Sequence, residues 1–583
     1  MSVNAQAAIA DRHSTVQSRA IGGGSFSAVT SFTALADYLQ NLPADYCNHL
    51  ADPKPRQMQY PCRIYVLLGL VLACLIPRAL VALQIHSICP DGILYIGLAE
   101  ALNEGRFQQA FEKMNLNIYP AVLMVLNRLG LGWETGGVIW GVGISSLVVL
   151  PLFGWVRRQF DDMSALLACL LYSVQPIFIQ WSPEFIRDPT FWFLFTLSLY
   201  LLWRAVTEVR IGLSLAAGLA ITFAVLTRFE GLFLLIPLTL WIFWRYRALT
   251  LRTDRAKLLI GGLLSVFASP ALILLINFTL LRNHTQWVYF RTDPLTLIHY
   301  WWNGVFFSAP ADAARAVQSH LDVSLGRMIA IYVPTLVKGL SPLFALLMLG
   351  GLWKWRRVWL RRDHQPLFYT TLAVMSAAWI HAWCAKESCD RYFLPIVLMA
   401  SGFAALGLFA LSARLLRFAV WLRSELILRY AAVFAPVTIV AVVGLNVAFS
   451  GPYDRRAAEV ELAAWVRQEY GASAMIFGSE GVTPVVAHYA NANWSTLEKK
   501  MDDQTVLESI GQLQPDVILL LATRRKKISD TRQLIDSIEK LKYTEIERSD
   551  LPHGTDDVLV VLRRDRAEPP PNIETGGRTI SLK

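Results

Sequence analysis

The chain has 583 residues, 54% of them hydrophobic and only 17% charged, with a mean hydropathy of +0.41 and a formal net charge of +10. That balance excludes an ordinary soluble globular protein, in which about 25% of residues are charged. It does not point to nucleic acid either, because Lys and Arg cluster in short links between apolar runs, the pattern that orients membrane helices.

Residues 1–60 are rich in Ser, Ala and Gly, as in AQAAIADRHSTVQSRAIGGGSFSAVTSF. They lack the charged start, short apolar core and small-residue exit of a cleavable leader, so a disordered cytosolic tail is expected. From residue 61 to 451 apolar runs of about 18 residues or more recur, each long enough to cross about 30 Å of hydrocarbon. The expected spans are 64–84, 136–156, 163–181, 189–206, 211–227, 231–247, 257–281, 328–353, 367–384, 392–412 and 427–449, about eleven in all. Only helices satisfy their own backbone in lipid in this way, so the fold class is a polytopic α-helical membrane protein. The segment YPAVLMVLNRLGLGW, Tyr119–Trp133, is apolar but short, and is expected to lie in the interface or dip into it.

With the N-terminus cytoplasmic, the inner links RRQFDD, RAVTEVR, RYRALTLRTDRAK, KWRRVWLRRDH and SARLLRFAVWLRSELILR are basic. The outer links SPEFIRDP, LTRFEG and CAKESCDRYF are short and carry both signs. This asymmetry agrees with eleven spans and puts the C-terminal region on the extracytoplasmic side. The expected location is the inner, or plasma, membrane of a bacterium.

After Gly451 the composition turns soluble. AEVELAAWVRQEYG reads as an amphipathic helix ending at a glycine. AMIFG, PDVILLLA and DVLVVLRR read as short strands, with a helical stretch around Asp530–Leu541. A small α/β domain is expected over residues 452–566, followed by a disordered tail over 567–583. It carries no glycine-rich phosphate fingerprint. The seven cysteines form no CxxC pair and so give no zinc pattern; Cys384 and Cys389 share one short loop and would bridge only in an oxidising compartment.

On this topology the outer surface collects Asp91, Glu184, Asp188, Glu230, Glu387 and Asp390, with Arg187, Arg228, Lys386 and Arg391 beside them. Their loops are only a few residues long, so these charges must lie close to the membrane surface, a setting suited to a lipid-linked phosphate. The longer loop 282–327, with WVYFRTDPLTLIHYWWNGVFF, has the length of a lid. Each residue also has a plainer reading. CPDG around Asp91 is good turn and helix-start chemistry. Glu184 and Asp188, one turn apart with Arg187 between them, suit a solvated helix start. Arg228, and Arg78 in the outer half of the first span, suit side chains that snorkel to water.

The order of these residues narrows the choice. RALVALQIHSICPDGILYIGLAEALNEGRF, with Asp91, Tyr95 and Ala99, resembles the start of the polytopic glycosyltransferases of the C superfamily, which include the protein O-mannosyltransferases (family 39-like) and the aminoarabinose transferases of lipid A. NIYPAVLMVLNRLG looks like their Tyr-Pro amphipathic helix, and FIRDPTFWFLFTLSLYLLWRA like their second acidic motif, with Asp188 opening a span. LTRFEGLFLLIPL is similar to their Thr-Arg-x-Glu-Gly helix start, and DRYFLPIVLMASGFAALGL to their Arg-Tyr-x-x-Pro span. The likeness covers roughly residues 64–450. Many relatives carry adjacent acids in the first loop, whereas here the second position is Gly92, which leaves open whether a divalent cation, magnesium or manganese, is bound. No other cofactor is expected.

The resemblance implies a polyprenyl-phosphate sugar as donor and a protein, lipid or polysaccharide as acceptor. An ordinary glycoside needs two carboxylates because an alkoxide leaves badly. A phosphate already on a lipid departs without a proton, so one carboxylate base suffices together with cations that take up the phosphate charge. Asp91 is expected to be the base, with Asp188 and Glu184 completing the catalytic set. Arg228, Lys386, Arg391 and Arg187 are expected on the phosphate, with Tyr95, Glu230 and Arg78 in support. A transporter or flippase for lipid-linked sugars is the alternative; it would place its ionisable residues near the midplane and show internal repeats, which the eleven spans lack. A non-catalytic anchor for the C-terminal domain would not require acids in so many outer loops.

Overall fold

The computed structural model describes residues 60–107, 110, 117–280, 325–356, 361–362, 364–385, 389–422, 426–451, 454–479, 481–497, 503–523, 528–550 and 557–564. The expected N-terminal and C-terminal tails, most of the 282–327 loop, Lys386 and Glu387 lie outside them.

Every expected span is helical. In chain order the helices are α1 (Tyr60–Ala82), α2 (Pro90–Asn103), α3 (Ile118–Arg128), α4 (Trp133–Leu147), α5 (Val149–Gln159), α6 (Asp162–Ser173), α7 (Pro176–Trp181), α8 (Asp188–Glu208), α9 (Ile211–Thr227), α10 (Leu235–Ala248), α11 (Arg252–Leu280), α12 (Leu325–Leu340), α13 (Pro342–Lys354), α14 (Gln365–Ala385), α15 (Leu394–Trp421) and α16 (Leu426–Phe449). Short 3-10 turns, Phe229–Leu234 and Asp390–Phe393, lead into α10 and α15. Among the described residues five helices are long and apolar enough to cross a membrane unaided: Ile64–Ala82, Trp133–Gln159, Asp188–Glu208, Phe229–Ala248 and Asp390–Ala419. The expected number of about eleven is met only by adding the bent pair α12–α13 and the helices α6 with α7, α9, α11, α14 and α16. A helix of α6's length rises only about 18 Å, so α6 needs α7, beyond a break at Val174 and Gln175, to complete its crossing.

The bundle closes around the span Asp390–Ala419, which is almost wholly buried. Small residues let it approach its neighbours. A Cβ on Gly407 would stand 1.9 Å from the carbonyl oxygen of Leu347, and one on Gly351 the same distance from that of Phe403, so α13 and α15 meet backbone to backbone. The segment 328–353, expected as one straight span, is bent by 81° between α12 and α13. The cause is local: Ser341 precedes Pro342, which disfavours helical backbone, and Ser341 takes φ 60°. Helices α2 and α3 belong to one end of the bundle. With 11 residues α3 is too short to cross alone; Asn117 caps it, and Val125 and Leu129 stay exposed.

The C-terminal region forms a five-stranded sheet with helices on both faces. Its elements are α17 (Asp454–Tyr470), β1 (Met475–Ser479), α18 (Thr483–Ala490), β2 (Asn493–Leu497), α19 (Asp503–Leu513), β3 (Val517–Thr523), α20 (Ile528–Glu539), β4 (Tyr543–Asp550) and β5 (Asp557–Arg564). The strand order is β2-β1-β3-β5-β4, parallel across the first three and antiparallel thereafter. Alternation sends Ile476, Val517 and Leu519 to the face covered by α17 and α18, and Phe477, Ile518 and Leu520 to the face covered by α19 and α20. Helix α17 ends where expected, at Gly471 with φ 73°. Strands β2 and β4 and helices α18 and α19 are additions to the elements expected from the sequence.

Candidate active site

The first loop delivers Asp91 on the opening turn of α2. Cys89 is the N-cap and Pro90 the first helical residue, whose missing N–H is no loss there. The carboxylate that follows sits where the helix dipole favours negative charge. Its side chain is 46% exposed. Beneath it, Tyr95 and Tyr119 are buried and meet edge to face at 5.0 Å. Burial pushes the Tyr95 phenol above its ordinary range, with the Arg187 charge acting against that shift, so Tyr95 stays a neutral hydroxyl.

Residues 182–187, between α7 and α8, pack against this turn. Cys89 Sγ lies 3.8 Å from the Phe185 carbonyl oxygen. The Phe185 ring wedges between α2 and α4: a Cβ on Gly92 would come within 2.9 Å of it, and one on Gly137 within 2.0 Å. Glu184 is buried and Arg187 half-buried in the same segment. Arg78 does not snorkel. It is fully buried, and its guanidinium reaches Ser182 Oγ (3.2 Å) and the carbonyl oxygens of Cys74, Ser173 and Tyr172, with the Tyr172 ring 4.9 Å away. It ties α1 to the break between α6 and α7 and to the start of the Glu184 segment.

Three more elements complete the cluster. Helix α8 opens on Asp188, which is 1% exposed. The chain turns at Arg228 in extended backbone before the 3-10 turn Phe229–Leu234, and a Cβ at Gly231 would stand 2.6 Å from the Val225 amide nitrogen. The turn Asp390–Phe393 brings Arg391. Arg391 Nη2 lies 3.2 Å from Asp91 Oδ2, and Nη1 3.7 Å from Asp188 Oδ2. Arg228 pairs with the other Asp188 oxygen through Nη1 and with Glu230 through Nη2. The result is a chain of alternating charge: Asp91, Arg391, Asp188, Arg228, Glu230. Aromatic rings flank it, with Trp181 5.4 Å from the Arg391 guanidinium and Tyr392 and Phe191 5.2 and 5.9 Å from that of Arg228.

The two arginines differ in what they can still do. Arg228 is buried and held by two carboxylates. Arg391 is 20% exposed and its Nε has no hydrogen-bond partner among the described residues. Sequence reasoning missed Lys338, in the last turn of α12, whose Nζ is 2.8 Å from buried Asp390 while its side chain is 74% exposed. A lone cation inside an otherwise apolar run, YVPTLVKGLSP, was the signal available. Cys384 lies outside the residues whose side chains are described, and Cys389 Sγ stands 3.7 Å from Asp390 Oδ1. Among the described residues no three His, Cys, Asp or Glu side chains come together, because guanidiniums separate the acids.

Residues 122–274 match the family model described as dolichyl-phosphate-mannose-protein mannosyltransferase. No curated protein sequence matches the chain. Among solved structures, the oligosaccharyltransferase of Archaeoglobus fulgidus in its apo form is similar, with a TM-score of 0.50 and 14% identity over 79% of this chain and 70% of that one. The same archaeal enzyme, AglB, with an inhibitory peptide and a dolichol-phosphate gives a TM-score of 0.50 and 14% identity over 79% and 69%. ArnT from Cupriavidus metallidurans bound to undecaprenyl phosphate gives 0.49 and 14% over 86% and 98%. At these identities the likeness is one of fold.

Proposed function

We propose that this chain, whose fold is that of the polytopic C-superfamily glycosyltransferases, moves a sugar from a polyprenyl-phosphate donor to an acceptor at the extracytoplasmic face of the membrane. The observation that carries the reading is the half-exposed Asp91 joined through Arg391 to the buried Asp188. Its sidedness is supported by the opposite end of the bundle, where Arg157, Arg158, Arg204 and Arg210 gather around Asp162 and Glu208.

In this reaction Asp91 takes the proton of the acceptor hydroxyl or amine as that atom attacks the anomeric carbon from the face opposite the phosphate. The bond from the anomeric carbon to the phosphate oxygen breaks, and its electron pair leaves on the lipid phosphate, so the configuration inverts. The leaving group needs charge neutralisation instead of a proton. Arg391, whose side chain is partly exposed beside Asp91, supplies it, since a guanidinium fork matches phosphate oxygens. Lys338 and Arg187 complete the cationic rim. Asp188, Arg228 and Glu230 hold Arg391 in place, Glu184 orients the acceptor, and Arg78 and Tyr95 support the two acidic segments.

A transporter of the same lipid is the second reading, favoured by the broken helix at α12–α13 with Lys338 in the last turn before its bend. Incubating the purified protein with polyprenyl-phosphate sugars and an envelope extract as the source of acceptor, and measuring released lipid phosphate, separates the two. Release is expected, and Asp91→Asn is expected to lower its rate by about 10²- to 10⁴-fold with an unchanged melting temperature. Movement of intact donor across a vesicle bilayer without release of lipid phosphate would establish the transporter instead.

A further inference from the structure

The C-terminal domain reaches the loop that carries Asp91. Helix α18 ends on His488 and Tyr489, which face Glu134 in the first turn of α4. His488 Nε2 is 3.2 Å from Glu134 Oε1, and the Tyr489 hydroxyl donates to Glu134 Oε2 at 3.0 Å. The same hydroxyl accepts the Ile88 backbone N–H at 3.1 Å. One helix turn of the soluble domain thus ties α4 to the residue that stands three before Asp91. A second tie lies beside it, where the Ser87 hydroxyl donates to Glu459 of α17 at 3.4 Å, both groups being buried. The Tyr489 ring packs on the apolar cluster of Ile88, Tyr95, Tyr119 and Phe185, the floor under Asp91.

These contacts have a consequence for chemistry. Residues 85–89, between α1 and α2, have no regular secondary structure and therefore no ladder to hold them. Their position sets where α2 begins, and so where the Asp91 carboxylate points. A hydroxyl that donates to one segment and accepts from another fixes both in distance and direction. Catalytic groups displaced by about 1 Å lose up to about 100-fold in rate.

We infer that Tyr489 is a positioning residue for the Asp91 loop, with Glu134 as its counterpart in the membrane bundle. The C-terminal domain is then a clamp on the catalytic turn and not an independent module. The kinetic side of this inference rests on the proposed sugar transfer; the structural side does not. Cys89 provides the structural readout, because it lies between Ile88 and Pro90, is 8% exposed, and points its thiol at the Phe185 carbonyl.

The experiment uses full-length protein in lipid nanodiscs, wild type and Tyr489→Phe, which keeps the packed ring and deletes both hydrogen bonds. Maleimide labelling is followed at each cysteine by peptide mass mapping. Cys89 is expected to label about tenfold faster in Tyr489→Phe, the change a lost directional hydrogen bond gives, with Cys74 and Cys169 unchanged as deep controls. Glu134→Ala, which removes the acceptor from the other side, is expected to do the same. Release of lipid phosphate is expected to fall about tenfold in kcat with the donor KM unchanged. Unchanged Cys89 labelling in both variants would overturn the clamp whatever the activity does. Faster labelling with unchanged kcat would overturn the positioning role. If the wild type releases no lipid phosphate from any donor, the proposed function falls and the labelling alone decides whether the clamp stands.

Discussion

The two ends of the helix bundle use the same residue types in opposite ways. At one end Arg158, Arg204 and Arg210 share the single acid Glu208, and their side chains are 27%, 26% and 69% exposed. At the other, Asp188 and Arg228 are buried, and each charge is shared between two partners of opposite sign. Pairs of the first kind, open to solvent on one side, contribute about 0–1 kcal/mol each. Buried pairs of the second kind carry a desolvation penalty of several kcal/mol per ion, which mutual attraction only roughly offsets. Charge by itself therefore marks membrane orientation, whereas buried charge in alternating order marks a place where geometry is being held for a purpose.

Breaking the comparison from its buried side is expected to have the largest effect. Arg228→Met leaves Glu230 without its guanidinium and Asp188 with Arg391 alone, and a loss of about 3–5 kcal/mol is expected, the range for removing one partner of a buried pair. Thermal unfolding in detergent measures it, and a loss under about 1 kcal/mol would place Arg228 among the surface pairs. A smaller effect is expected from Arg391→Lys. This keeps the charge but removes the fork that spans Asp91 and Asp188, so lipid-phosphate release should fall about 10- to 100-fold while the melting temperature stays near wild type. The smallest is expected at the opposite end, where Glu208→Gln should shift stability by no more than about 1 kcal/mol and leave release unchanged. A large loss of activity there would mean that the two ends are coupled.

The helices were legible because lipid leaves a chain no other way to satisfy its backbone, and within the described residues the eleven apolar segments are built from helix, two of them broken. The convergence of Asp91, Asp188, Arg228 and Arg391 was legible in part, since short outer links leave charges little room to spread. What they do on arrival was not. Arg228 read as a cation for phosphate, yet Asp188 and Glu230 occupy it, and pairings between residues 40 apart in sequence leave no trace in spacing. The bend at Ser341 had a local signal in the following proline, which the apolar content of the segment outweighed. The clamp had none: Tyr489 and Ile88 are 401 residues apart, and the short helix that brings them together sits in a stretch of ordinary soluble composition.

The Phe185 wedge bears on what position 92, next to Asp91, can carry. Any side chain at position 92 would have to share space with the Phe185 ring, which is itself held between α2 and α4. A second carboxylate beside Asp91 would thus require the Phe185 side chain to move before any question of charge arises. The two positions are coupled: an acid at 92 calls for a smaller side chain at 185, and a smaller side chain at 185 alone would leave a hole between α2 and α4.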